Sequence, residues 1–412
     1  MDRTKVLKFL ERAIEFSLWM VVFSIPISIA MTNIGIVLAI ILWLIKKIMN
    51  KDWRLVGTPI NIFLILLILV SLFSLINSIK MSSSIGGMQK LFKGILLFFI
   101  IVETIKDRKK LRRIVWAALL GLVLVSVDGV FQYLTGKDFI RGYKFNIGFR
   151  YPGQPGLRRL SASMHNPNDF SSYLVTVIPL AVSMALYYLK GKKKLLLGLV
   201  WLIAFFCMFQ TYSRGAILAF TIVMVLFSII KKDKRLAAAL LAMLLILPFL
   251  LPRSVVNWSV THLNPYEFFV EVGGRRWHWQ AAINMIKTHP FLGVGTNTFS
   301  INYESYKIAA DPLTGWYAHN AYLQLAAEIG ILGLAIFLLM LLVVIRNWWR
   351  HYKGVRVSDF QAISLGIFGG FISYLIASAL ESNLQYSNLA VLFWAMLGLI
   401  IAVSRLEQLE KS

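Results

Sequence analysis

Long apolar runs recur along the whole chain of 412 residues. An α-helix needs about 20 such residues to cross the hydrocarbon core of a bilayer. Only 15% of the residues are charged, against about 25% in soluble domains. Alternating segments of about ten residues, which are typical of an outer-membrane barrel, do not stand out. The pattern predicts an all-α polytopic membrane protein, and it excludes a soluble domain, a disordered chain and a coiled coil.

The apolar runs predict about twelve transmembrane helices. They lie at 13–30, 32–48, 58–78, 91–105, 114–134, 168–189, 195–212, 214–230, 236–252, 320–345, 361–381 and 388–404. The chain then divides into five helices in 1–134, a loop at 135–167, four helices in 168–252, a large loop at 253–319 and three helices with a tail in 320–412. Prolines inside the runs, such as Pro179 and Pro248, are tolerated because neighbouring groups satisfy the freed backbone.

The net charge of +24 lies mostly in short clusters between the apolar runs, which argues against a nucleic-acid partner. If both termini are cytoplasmic, seven segments on that side hold 28 of the 43 Lys and Arg residues. Cytoplasmic loops of membrane proteins carry such an excess of positive charge. The distribution therefore predicts a multi-pass protein with both termini in the cytoplasm, whose inner charges also contact anionic membrane lipids.

Both long loops then lie on the outer side, with 11 of the other 15 basic residues. They also contain five of the six histidines: His165, His262, His278, His289 and His319. Loops of this length in a compact chain are usually functional or disordered. ATP and nucleotide sugars are absent outside the cytoplasm, so we expect a substrate that arrives already activated on a lipid.

Two short motifs begin apolar runs on the outer side. The first, HNPNDF at 165–170, contains His165, Asn168 and Asp169. A simple cap explains it, because Asn, Pro and Asp suit a helix start. The second, YSRG at 212–215, places Arg214 in a connection with almost no spare length. An arginine at that depth either extends to the surface or meets an anion, and the sequence leaves both interpretations open.

Two further motifs lie in the large loop. Arg275 and Arg276 stand just before Trp279 at the start of a predicted helix. An arginine pair in that position forms an anion site with the free backbone N–H groups, or it binds lipid headgroups. The motif HPFLGVG at 289–295 lacks the Lys-Ser/Thr of a P-loop, and its glycines favour a tight structural turn.

The last motif, HNAYL at 319–323, opens the tenth predicted helix. His319 suits a general base because histidine side chains titrate near neutral pH, and a structural role is equally open. Asn320 follows it. Glu328 lies further along, about 13 Å away in a straight helix, so it cannot orient His319 within one such helix. No outer cluster has metal-ligand spacing, so we expect no metal and no cofactor.

Four of these stretches, in this order, resemble the O-antigen ligase and polymerase superfamily of bacterial membrane glycosyltransferases. They are HNPNDF (165–170), SRGA (213–216), Arg275 with AAINMIKTHPFLGVGTNTF (281–299), and HNAYLQLAAEIGILG (319–333). The resemblance covers residues 160–345, and the first five predicted helices match only in hydropathy.

The resemblance implies a GT-C-type helical architecture at the bacterial inner membrane, with an outward-facing site. It implies a glycan donor on undecaprenyl diphosphate and metal-independent catalysis. The acceptor is the lipid A-core in the ligases and another repeat unit in the polymerases. The family's span-border arginine maps onto Arg214, its loop arginine onto Arg275 and its loop histidine onto His319. Arg276 stands beside the matching position.

Chemistry agrees with these assignments, because arginines stabilise a leaving diphosphate and a base takes the proton of an acceptor hydroxyl. One base on the opposite face would invert the anomeric centre. The supporting candidates are His165, Asn168, Asp169, Trp279, Asn320 and Glu328.

Three alternatives stay open. A repeat-unit polymerase and a protein O-oligosaccharyltransferase belong to the same superfamily. A transporter of lipid-linked glycan is the competing class, because Asp128, Glu328 and Glu381 lie within predicted spans. Transport sites, however, lie near the bilayer midplane, whereas the residues singled out here crowd the outer rim.

Overall fold

The computed structural model describes residues 3–147, 158–250, 275–315, 317–352 and 358–409. In these ranges the chain forms fourteen α-helices and one short pair of antiparallel strands. The helices are α1 (Arg3–Ser24), α2 (Ile29–Asn50), α3 (Asn61–Ser74), α4 (Met81–Thr104), α5 (Arg108–Thr135), α6 (Pro167–Tyr187), α7 (Gly191–Phe209), α8 (Arg214–Lys231), α9 (Lys234–Leu250), α10 (Arg275–Thr288), α11 (Phe299–Tyr306), α12 (Ala321–Tyr352), α13 (Ser358–Ser378) and α14 (Ser387–Leu409). The strands are β1 (Asn146–Ile147) and β2 (Arg158–Arg159).

Each of the twelve apolar runs overlaps one of these helices, and α10 and α11 lie between the ninth and tenth runs. Eight helices in the described ranges are long and apolar enough to cross a membrane. Four more helices overlap predicted spans. Of these, α3 has 14 residues and α9 has 17, while α1 and α7 carry several charged residues in their first turns. The fold is therefore that of an all-α, multi-pass membrane protein, as the apolar runs predict.

Some predicted boundaries are wrong. The fourth span is predicted to begin at 91, but α4 begins at Met81, because the small and polar residues before the apolar run continue the helix. The tenth span is a broken helix. Ile329 and Gly330 have non-helical dihedral angles inside α12.

Ion pairs between helices mark one end of the bundle. At this end, Lys47 of α2 pairs with Glu103 of α4 at 3.0 Å, and Arg112 of α5 pairs with Asp359 of α13. We call this the basic end. Charged side chains that pair across helices lie at the same depth. The paired residues lie in or beside segments predicted to be cytoplasmic, so these segments meet at the basic end.

The opposite end, which we call the loop end, is joined by hydrogen bonds between distant parts of the chain. Asn388 Nδ2, in the first turn of α14, donates to the carbonyl of Ile25 after α1 at 2.8 Å. Asn77 Nδ2, after α3, donates to the carbonyl of Gly293 at 2.8 Å. Residues of the first half of the chain and of the large loop therefore form one surface at this end.

The helices α6, α13 and α14 form the centre of the bundle. Side chains of α6 and α14 are buried along nearly the whole apolar stretch of each helix. A Cβ added at Gly370 of α13 would collide with the backbone of Thr176 in α6. Small residues allow membrane helices to approach closely, and this close packing fixes the turn between α13 and α14 at the loop end.

The segment 290–299 forms a rigid turn against the break in α12. The Val294 N–H donates to the Ala327 carbonyl at 2.9 Å, and the Ile331 N–H donates to the Pro290 carbonyl at 2.8 Å. Gly330 has φ +76°, and a Cβ there would collide with the backbone of Phe291. The backbone therefore requires glycine at this contact, and the glycine-rich motif is the structural turn that its sequence predicts.

Candidate functional site

A buried carboxylate at the loop end joins two of the residues singled out from the sequence. Glu381 lies in the turn between α13 and α14 and is only 5% exposed. Its Oε1 accepts a hydrogen bond from Arg275 Nη2 at 2.6 Å, and its Oε2 lies 3.2 Å from His319 Nδ1. Arg275, Glu381 and His319 therefore form one ion-paired cluster, although they come from three separate segments.

Local backbone geometry places each member of the cluster. Arg275 is the first residue of α10. His319 directly precedes the segment that opens α12 and adopts φ +50°, a left-handed conformation. The Ala321 N–H donates to the carbonyl of Glu381 at 3.2 Å, so the start of α12 is hydrogen-bonded to the turn that carries the carboxylate.

The charges of the cluster determine which histidine nitrogen carries the proton. Burial alone would raise the pKa of the Glu381 carboxyl, but Arg275 and His319 together outweigh burial and hold that pKa below its ordinary value of 4.5. Glu381 is then ionised at neutral pH and can only accept hydrogen bonds. His319 must donate through Nδ1, which leaves Nε2 with the lone pair when the ring is neutral.

Arg159 is a basic residue of this site that the motifs did not reveal. It ends strand β2, where its Nε donates to the Thr211 carbonyl and its Nη2 donates to Asn168 Oδ1, both at 2.6 Å. The pKa of Arg159 is lowered to about 10, mainly by burial. The charge of Glu381 opposes this lowering, and the charge of Arg275 adds to it. The guanidinium is still charged at neutral pH and interacts with the charges of the cluster.

Arg214 lies at the edge of the same site. It is the first residue of α8, and its side chain is half-buried. A Cβ added to the next residue, Gly215, would lie 3.2 Å from the side chain of Leu380. The start of α8 thus packs against the residue next to Glu381, which brings the backbone of Arg214 beside the cluster.

Arg276 differs from Arg275 although the two are adjacent. The Arg276 side chain is exposed, and its guanidinium carbon lies 4.2 Å from the centre of the Trp277 ring. Adjacent residues of a helix point about 100° apart, so only Arg275 reaches Glu381 in this turn. The predicted arginine pair therefore contributes one member to the buried cluster and one to the surface.

A second histidine lies against the first. The ring of buried His278 is 5.4 Å from the ring of His319 in an edge-to-face arrangement, and 5.2 Å from the ring of Tyr303. The Tyr303 hydroxyl donates to Asp311 at 2.5 Å. Trp279, one residue beyond His278, is half-buried, and its Nε1 has no hydrogen-bond partner in the described part of the chain.

Buried Gln324 connects the segments that carry the site residues. Its Oε1 accepts hydrogen bonds from the Ala318 N–H at 3.1 Å and from Ser382 Oγ at 3.0 Å, and its Nε2 donates to Glu328 Oε1 at 3.0 Å. Ala318 precedes His319, and Ser382 follows Glu381. One amide therefore holds both sides of the His319–Glu381 contact.

Three of the supporting candidates have structural contacts instead. Asn320 Oδ1 accepts the Tyr322 and Leu323 N–H groups at 3.0 Å and so caps α12. Glu328 is buried and accepts the Asn297 N–H at 2.7 Å, which holds the turn at 290–299. His165 is exposed and has its ring against that of Tyr143 at 4.8 Å.

The motif HNPNDF combines a cap with a part of the site. Asn166 Oδ1 accepts the Asn168 N–H at 2.8 Å, and Pro167 is the first residue of α6. Asn168 itself binds Arg159. After burial, the carboxylates of Asp169 and Glu381 both raise the pKa of Tyr386. The simple cap explains Asn166 and Pro167, whereas Asn168 reaches the site through Arg159.

The site residue most clearly missed from the sequence is Glu381, which we noted only as a carboxylate within a predicted span. An acidic residue at the end of an apolar run, on the side of the long loops, was the signal available. Arg159 had a weaker signal, since it is one of several basic residues in its loop. Within the described ranges, no group of three His, Cys, Asp or Glu side chains is placed to hold a metal ion.

The fold and site define a multi-pass helical membrane protein with an arginine–glutamate–histidine cluster at one end of its bundle. Residues 198–338 match the family described as O-antigen ligase. This stretch contains Arg214, Arg275 and His319. Together with the relatives described next, the match supports the O-antigen ligase superfamily, which confirms the resemblance drawn from the four motifs.

Three relatives illustrate the similarity. A protein of Rickettsia prowazekii (strain Madrid E), named "Putative polysaccharide ligase", is 30% identical over 136 residues, which are 31% of this chain and 29% of that protein. One of the same name from Rickettsia typhi is 29% identical over equal shares. An "O-antigen polymerase" of Salmonella muenchen is 23% identical over 296 residues, 69% of this chain and 70% of that protein. The alignment thus spans less than a third of each Rickettsia relative.

Proposed function

We propose that this protein is an O-antigen ligase-like glycosyltransferase. In this proposal it moves a glycan from undecaprenyl diphosphate to an acceptor, the lipid A-core, on the outer face of the bacterial inner membrane. Both termini and the basic end lie in the cytoplasm, and the loop end faces outward. The reaction is metal-independent and inverts the anomeric carbon, and the architecture is of the GT-C type.

One observation carries the proposal: Glu381 holds His319 through Nδ1 and Arg275 through Nη2. A general base needs a defined tautomer and orientation, and an ionised carboxylate on Nδ1 supplies both. The same carboxylate fixes the guanidinium beside the base. The arrangement therefore sets a proton acceptor next to a phosphate-binding group, which is what transfer from a glycosyl diphosphate to a hydroxyl requires.

The transfer balances without a further reactant. The acceptor oxygen forms a bond to the anomeric carbon, and its proton passes to His319 Nε2. The bond between the anomeric carbon and the diphosphate oxygen breaks, and the lipid diphosphate leaves with the electron pair. Attack from the face opposite the leaving group inverts the configuration. General-base help of this kind accelerates reactions by about 10²–10⁴.

The guanidinium groups stabilise the diphosphate as its charge grows. Arg275 is partly neutralised by Glu381, and Arg159 and Arg214 add further positive charge for the diphosphate on the side of α6 and α8. Arginine suits this task because its planar fork makes two parallel hydrogen bonds to phosphate oxygens. The donor diphosphate is expected between these side chains.

A repeat-unit polymerase is the second candidate, and one comparison favours it. The O-antigen polymerase of Salmonella muenchen aligns over 70% of its own length, whereas the alignment with the Rickettsia protein covers 29% of that relative. The two functions share the donor and the base and differ in the acceptor. A protein O-oligosaccharyltransferase differs in the acceptor as well.

The test is transfer by the purified full chain in lipid vesicles with a glycan on polyprenyl diphosphate. Product on a lipid A-core acceptor supports a ligase, whereas lengthening of the lipid-linked glycan itself supports a polymerase. Movement of the donor across the bilayer, with the glycosyl diphosphate bond intact under every acceptor condition, would refute both and indicate transport. Glu381→Gln serves as the matched variant, because it keeps the shape and removes the charge that orients His319.

A further inference from the structure

A groove between α2, α4 and α14 lies at the loop end, outside the cluster around Glu381. Its apolar wall includes Ile36, Val391 and Trp394, and its rim carries Lys90 and Lys93. Its enclosed space is only about 20 Å³, roughly the room for one water, so a lipid headgroup would lie against the lysines at the rim and an acyl chain along the apolar wall.

Both lysines have neutral partners. Lys93 Nζ donates to Asn33 Oδ1 at 2.9 Å, and Lys90 Nζ donates to Asn297 Oδ1 at 3.2 Å. Neither ammonium makes an ion pair within the part of the chain that the structure describes. Each keeps two further N–H donors. Two positive charges, one helical turn apart, therefore stand above an apolar wall, each with an amide oxygen as its hydrogen-bond partner.

The depth of the lysines matches the membrane interface. Asn33 lies in the second turn of α2, and several side chains of α2 that would face lipid, among them Ile34, Val37 and Leu38, are exposed. A lysine near the end of a membrane helix keeps its ammonium at the headgroup level while its stem lies along apolar surface. The groove thus presents cations to headgroups and an apolar wall to acyl chains.

We propose that this groove binds the phosphate headgroup of an anionic bilayer phospholipid. Lysine binds a single phosphate as a compact point charge, and the apolar wall beside the two lysines suits acyl chains. The arginines of this end lie in the cluster around Glu381, and the groove has lysines alone. A phospholipid, present at high concentration beside α2, is therefore the occupant that the charges favour over the lipid-linked donor.

The bound phospholipid would also support the turn at 290–299. Lys90 holds Asn297, whose own N–H is bound by Glu328 and whose Nδ2 donates to the Ser83 carbonyl at 3.1 Å. A phosphate that orders Lys90 stabilises this contact between α4 and the large loop. The proposal concerns binding and stability, so it can be tested without a transfer assay.

The experiment measures the thermal unfolding of the purified full chain in mixed micelles of neutral detergent with increasing phosphatidylglycerol or phosphatidylcholine. The parent should show a saturable rise in Tm with phosphatidylglycerol and none with phosphatidylcholine. The double variant Lys90→Gln/Lys93→Gln should bind roughly 30-fold more weakly, about 2 kcal/mol for two lysines. The matched control is Lys80→Gln, an exposed lysine just before α4, which should behave as the parent does.

Two further variants, one that preserves both charges and one that changes a single lysine, keep the test decisive if the double variant unfolds. Lys90→Arg/Lys93→Arg should retain the response, and Lys90→Gln alone should weaken it about fivefold. Equal responses to both phospholipids, or equal losses in Lys80→Gln and Lys90→Gln, would overturn the proposal. The proposal would also be overturned if polyprenyl phosphate saturated the groove and phosphatidylglycerol failed to displace it. The occupant would then be the donor lipid.

Discussion

Replacing His319 with asparagine separates a catalytic base from a structural cap with little other change. His319 adopts φ +50°, a conformation that most residues reach only at a cost of roughly 1–2 kcal/mol. Asparagine adopts it readily, and its Nδ2 can still donate to Glu381. The variant therefore keeps the backbone and the hydrogen bond and removes only the nitrogen that could accept a proton.

The expected loss of activity follows from the role of the base. Loss of general-base help should lower the transfer rate by about 10²–10⁴, or roughly 2.7–5.4 kcal/mol of activation free energy. Stability should change much less. The His319 side chain is 29% exposed, Glu381 keeps its partner Arg275, and one hydrogen bond contributes about 0.5–1.5 kcal/mol. Donor affinity should be close to that of the parent, because the arginines are untouched.

The assay is single-turnover transfer in vesicles, with donor binding and thermal unfolding measured on the same preparations. His165→Asn is the matched control, because His165 also has a positive φ, +65°, and lies exposed beside Tyr143. It should transfer at the parent rate. Near-normal transfer by folded, donor-binding His319→Asn would remove His319 from the mechanism and leave the proton acceptor unassigned.

Four further predictions concern the site, its membrane orientation and its chemistry. Arg214→Ala and Arg275→Ala should abolish transfer in inserted protein, and the lysine variants should recover only part of it because they lack the planar fork; full activity with lysine would mean that a point charge suffices. A reporter fused after Arg113 should be cytoplasmic and one near Asn297 outside, and the opposite result would reverse the membrane orientation. EDTA should leave transfer unchanged, and a loss that magnesium or manganese restores would contradict metal independence. Since the pKa of Glu381 is held below 4.5, its stabilisation should be complete above that pH and be lost as pH falls through the lower folded-state pKa, which unfolding of the parent against Glu381→Gln would measure.

The sequence predicts the helices well because each depends on local composition. An apolar run of sufficient length must be helical in a bilayer, since no water is present to satisfy its backbone. The ends are less certain. Lys90 and Lys93 disrupt the apolar run of α4 without ending the helix, because lysine has a high helix propensity and a stem that lies along apolar surface.

The site is predicted less completely because its contacts join distant residues. Arg275, His319 and Arg214 follow from short motifs, but Glu381 lies 62 residues beyond His319, and no local pattern connects the two. Gln324 is similar, because its role depends on which backbone groups surround a buried amide. Glu328 was excluded as a partner of His319 on helix length alone, yet α12 is broken, and Glu328 acts through Gln324 and the turn at 290–299.

The distribution of carboxylates favours group transfer over transport. Asp128 and Glu328, two of the three acids that suggested a transporter, bind backbone N–H groups: Asp128 accepts that of Phe139 at 2.8 Å, and Glu328 accepts that of Asn297 at 2.7 Å. Both therefore fasten loops of the loop end to their helices. The third, Glu381, lies in a turn beyond the helix and binds Arg275 and His319. A transport path would need charged groups along the middle of the bundle. These three acids instead bind groups at the loop end, which is the end where the proposed transfer from a lipid-linked donor takes place.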